Sequence, residues 1–70
     1  MLTVRERNTI GVTVAMVLHQ MTGRTDIERR TVCQSHAAQS VGEFWVDMAD
    51  ARRDAVDAII TAQLEQAVAA

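Results

Sequence analysis

Lysine, proline and tyrosine are missing from this 70-residue chain, and cysteine occurs once. A lone cysteine, Cys33, excludes an internal disulfide and points to a reducing, cytoplasmic setting. Without proline, no segment is barred from a helix. One Phe and one Trp with no Tyr leave a core to be built from aliphatic residues, alanine and methionine. All seven basic residues are arginines, the usage expected of a GC-rich genome such as that of an actinobacterium or its phage. No apolar run reaches the roughly 20 residues that span a bilayer. The stretch from Ile10 to Leu18 follows Arg5 and Arg7 as a secretory leader would. Thr13 interrupts it, however, and His19 and Gln20 follow without a cleavage site.

What is present is globular in kind: 49% hydrophobic and 23% charged residues, with alanine abundant after residue 36. A chain this short forms one domain and buries only about 60% of its unfolded surface. Such a domain is marginal unless it is stapled. With no disulfide, the staple expected is oligomerisation or a partner. The net charge of −2 conceals an asymmetry. Residues 1–40 carry five arginines against three acids, or +2, and residues 41–70 two arginines against six acids, or −4. That balance argues against a nucleic-acid partner, which requires a basic face.

Three capping-box patterns divide the chain into helical lengths: Thr3-x-x-Glu6, Thr25-x-x-Glu28 and Ser40-x-x-Glu43. The first predicts a helix over 4–22, with Ile10, Val14, Val17, Leu18 and Met21 on one face and Gly23 at the left-handed stop. The same segment has a second reading. Ile10, Val12, Val14, Met16 and Leu18 alternate with small or polar residues, the period of a strand. A strand over 9–18 finds no partner in the chain and would pair only across a dimer. The second box predicts a helix over 26–39, with Ile27, Thr31, Gln34, Ala38 and Val41 sharing a face. The small residues Cys33, Ser35, Ala37 and Ala38 mark it as a close-packed connector. The third predicts a long helix over 41–68, roughly 42 Å at 1.5 Å per residue. It would outreach the first two and expose a rotating apolar stripe. The expected fold is therefore an all-α three-helix bundle with a long C-terminal helix, completed by oligomerisation.

Residues that might carry chemistry are few. Cys33 and His36 stand one helical turn apart, and could be half of a zinc site with His19 as a further donor, or a nucleophile and its base. Neither set is complete, because the first lacks ligands and the second an orienting acid and an oxyanion hole. No catalytic residue, cofactor or metal is expected. Arg29 and Arg30 after Gly23 hint at a helix-turn-helix. A small nucleic-acid-binding regulator and a metal-binding helical protein are thus the alternative functions. The leading expectation is a non-catalytic protein–protein interaction module that associates with itself and with another cellular protein. Its interface would be drawn from Trp45, Met48, Arg52, Val56, Ile59, Ile60 and Leu64, with Arg52 either snorkelling outward along its stem or, in the functional reading, bridging to an acid of the opposing chain. Trp and Arg are favoured anchors in such surfaces.

Overall fold

The computed structural model describes the backbone of residues 1–69 and side chains through residue 66. Three α-helices form a bundle: α1 (Val4–Gln20), α2 (Asp26–Ser40) and α3 (Asp50–Ala69), with a single 3-10 turn, Trp45–Asp47, between the last two. No strand occurs among the described residues. Residues 9–18 are helical, so the strand alternative is corrected. Their two-residue alternation splits across a helix: Ile10 and Val14 fall inside, while Val12 and Met16 fall outside.

The first two capping boxes close as the sequence predicts. Thr3 Oγ1 accepts from the Glu6 amide at 3.0 Å, and Glu6 Oε1 accepts from the Thr3 amide at 3.0 Å. Thr25 and Glu28 repeat the exchange at 3.2 Å each way. Each box satisfies two amides that a helix start leaves without partners.

The third box does not form, and the helix predicted over 41–68 starts only at Asp50. Ser40 is the last residue of α2, and its hydroxyl donates to the Ala37 carbonyl. Beyond it, Gly42 takes a φ of 79°. The Gly42 amide donates to Gln39 O and the Glu43 amide to Ala38 O, both at 3.0 Å. This is the paired 5→2 and 6→1 closure of a Schellman motif. A β-carbon at Gly42 would meet nothing within 4 Å, so Gly42→Ala costs only the left-handed backbone, about 1–2 kcal/mol. Thermal unfolding should show a midpoint lower by roughly 5–10 °C. An unchanged midpoint would mean that this turn does not need its glycine.

With its start at Asp50, α3 has 20 residues against 17 for α1 and 15 for α2. The overhang argued from a 42 Å helix therefore disappears. The core comprises Leu2, Ile10, Val14 and Val17 from the first segment, and Cys33, Ala37 and Ala38 from α2. Met48, Val56, Ile60 and Leu64 come from the last segment. The inner face of α2 is thus centred on Cys33, Ala37 and Ala38: of the predicted face Ala38 is buried and Val41 packs against the core, while Ile27 and Thr31 are exposed. Its small side chains let the helices approach closely, and longer polar ones tie them together at the edges. Gln63 of α3 donates to the Gly11 carbonyl of α1 at 2.9 Å. Arg30 of α2 reaches Asp57 at 3.4 Å and Thr61 at 3.0 Å on α3, and Gln34 donates to Asp57 at 2.8 Å.

Candidate interaction surfaces

The residues expected at an interface have different places in the structure. Met48, Val56, Ile60 and Leu64 are buried within the single chain. Their apolar area is already covered by α1 and α2, so the surface they were expected to form is instead the core. Trp45 and Ile59 are half-buried against that core, each leaving one side open.

Arg52 also has its partners inside the chain rather than on an opposing one. Its guanidinium forks onto Glu6, with Nη2–Oε2 at 2.8 Å and Nη1–Oε1 at 3.3 Å. It donates to Glu43 Oε2 at 2.5 Å and to the Met1 carbonyl at 3.1 Å. One side chain of α3 thereby fastens the start of α1, the N-terminal arm and the turn after α2. The two-point geometry suits the planar donor fork of arginine. The Arg52 hydrogen bonds, helped by the Thr3 amide, hold the Glu6 carboxyl down to about 2, from an ordinary value of 4.5. The Arg52 guanidinium is held still more firmly in its charged form by Glu6 and Glu43.

Because the Glu6 value is depressed on folding, its contribution is complete above the unfolded-chain value near 4.5. It is lost as pH falls toward 2. Thermal midpoints measured from pH 5 to pH 2 should therefore fall less steeply in Arg52→Met than in the wild type, starting from a lower value at pH 5. Parallel profiles would remove Glu6 as the group responsible.

The other sequence candidates are dispersed. Cys33 is fully buried, and burial pushes its thiol up despite nearby Arg30 and Arg29. His36 and His19 are exposed. A buried thiol and a solvent-facing imidazole do not form a nucleophile–base pair. Among the described residues, no three of His, Cys, Asp and Glu group closely enough to hold a metal ion. Arg30, one half of the basic pair that hinted at a helix-turn-helix, is turned inward onto Asp57 and Thr61. Arg24 pairs with Glu28 at 3.4 Å, and Arg53 pairs with Asp50.

Several large apolar side chains remain on the outside. Phe44 is 66% exposed and Val46 79%, two positions apart on the α2–α3 turn. That turn is fixed at both ends. The Gly42 closure precedes it, and the buried Met48 follows it, donating its amide to the Trp45 carbonyl. Val12 and Met16 form a second exposed pair, one turn apart on the outer face of α1. A groove of about 450 Å³ runs between the N-terminal arm and α3, over Ala55, Ala58, Ile59 and Ala62. A hollow of about 530 Å³ at the α1–α2 corner is lined by Met21, Ile27 and Val32 and includes Arg24 and Glu28. Sequence reasoning missed Phe44 and Val46 because it placed them in a helix. The signal available was Gly42, which marks a helix end by the same rule that applies at Gly23. No helix is long and apolar enough among the described residues to cross a membrane.

Compared with known proteins, the chain matches no family model, no curated protein and no solved structure.

Proposed function

We propose that this chain is a non-catalytic protein–protein interaction module that works as a cytoplasmic homo-oligomer. The observation that carries this reading is the pair Phe44 and Val46, held facing solvent on a turn anchored at both ends. Large apolar side chains grouped on a surface mark an interaction site. A surface that is already ordered loses little conformational freedom on binding. Val12 and Met16 on α1 give a separate apolar site, available to a second cellular protein.

The nucleic-acid alternative draws little support from the arginines. Arg24, Arg29, Arg30, Arg52 and Arg53 each face an acid of their own chain, and Arg5 and Arg7 alone do not make the basic face that a phosphate backbone requires.

Light scattering after size exclusion, over a wide concentration range, tests the proposal. The expected result is a mass at least twice the 7.7 kDa of one chain, falling on dilution. A mass of one chain at every concentration would sink the homo-oligomer.

A further inference from the structure

Two surfaces of opposite shape and charge lie next to one another. The first is a knob, the exposed Phe44 and Val46 followed by Asp47. Asp47 is exposed and forms no ion pair among the described residues. The second is the groove between the N-terminal arm and α3. Its floor is low because Ala55, Ala58 and Ala62 contribute only methyl groups. Met1 and Leu2 stand along one wall, and its charged lining residue is Arg7. Arg7 likewise forms no ion pair among the described residues.

Each surface supplies what the other lacks: bulk against a hollow, and a carboxylate against a guanidinium. They are also neighbours. Arg52 binds both the carbonyl of Met1, which lines the groove, and Glu43, which precedes the knob. The acids Asp54 and Glu65 flank the rim of the groove that faces away from α1, one turn before Ala58 and one turn beyond Ala62. An incoming carboxylate is therefore turned toward the opposite wall, where Arg7 of α1 stands. The groove lies on the α1 side, where Gln63 meets Gly11.

We infer that the groove is occupied by the Phe44–Val46 knob of a second copy of this chain, with the copy's Asp47 against Arg7. Because knob and groove share one region of the surface, a two-fold axis makes the contact reciprocal, and each copy gives a knob and receives one. The inference rests on the homo-oligomer reading and assigns it a surface.

The test compares dimer dissociation constants by sedimentation equilibrium, with circular dichroism melts to confirm folding. Phe44, Ala58, Arg7 and Asp47 are all exposed, so their variants should keep the bundle. Phe44→Ser removes the knob and should weaken the dimer by roughly 30-fold or more, as expected of a buried aromatic anchor. Ala58→Gln fills the groove without changing charge and should act in the same direction. Arg7→Asp and Asp47→Arg should each weaken association by roughly two- to fivefold. Combined in one chain, they should recover most of that loss, a result that general damage to a surface does not give. A wild-type dimer left intact by Phe44→Ser and Ala58→Gln overturns this surface and leaves the homo-oligomer standing. A wild type that stays monomeric overturns both. Failure of the double charge swap to recover affinity overturns the Asp47–Arg7 pairing.

Discussion

Ile60→Ala should lower the stability of the domain by about 2–5 kcal/mol, the cost of emptying an aliphatic core site that cannot fully collapse. Ile60 is 0% exposed and shares the core with Ile10, Val14 and Val56. A chain of 70 residues holds only about 4–10 kcal/mol in total, so this one change removes a large part of the margin. Ile60→Asp, which would bury a carboxylate without a partner, should prevent folding. Urea unfolding measures the effect as a lower midpoint with an unchanged slope. Its dependence on protein concentration separates two roles. A residue of the core loses the same stability at every concentration, whereas a residue of a subunit interface loses least where the chain is too dilute to associate. A loss under about 1 kcal/mol would contradict the place of Ile60 in the core.

The second large effect comes from adding volume. Ala37 is 0% exposed, one turn beyond the buried Cys33 on the inner face of α2. Ala37→Leu forces three further carbons into the seam where α2 meets its neighbours. It should cost about 1–3 kcal/mol through displaced helices and strained side chains. Ala51→Leu is the control. Ala51 is exposed on α3, and the same chemical change there should stay within about 0.5 kcal/mol of neutral. If the two variants melt together, the close approach of α2 is not set by its small side chains.

The starts of α1 and α2 could be read because the oxygen that caps each one is a side chain. Thr3 and Thr25 with Glu6 and Glu28 form closed boxes. Ile10, Val14 and Val17 were legible as core because helical spacing alone sets which residues share a face. The turn at 41–49 was not, for two physical reasons. Ser40 and Glu43 have the spacing of a box, but Gly42 between them accepts a positive φ and ends α2, and Glu43 is taken by Arg52. The true start of α3 has no such mark. The Arg53 amide donates to the carbonyl of Ala49, a residue with no side-chain oxygen to cap a helix.

That boundary error carried into the site. A helix over 41–68 put Trp45 and Met48 on one apolar surface, whereas the turn sends Met48 inward and Phe44 and Val46 outward. Ile60 and Leu64 were recognisable as packing residues, but not as packing within one chain. A pattern of apolar positions does not say whether the covering surface belongs to the same molecule. Arg52 could be picked out as an arginine in need of a partner. That the partner is Glu6, 46 positions away, depends on how the helices cross.

The ten residues from Thr9 to Leu18 that make up most of α1 carry no charge and no proline. In the folded chain their alternation is inert, because a helix sends Val12 and Met16 away from Ile10 and Val14. In the unfolded chain nothing separates them. The segment then has the composition of an aggregation-prone strand: β-branched, uncharged and uninterrupted. The capping box at Thr3 and the core around Ile10 therefore do more than hold a helix in place. They keep a cross-β template out of solution, and each core variant that raises the unfolded population raises the supply of that template in the same proportion.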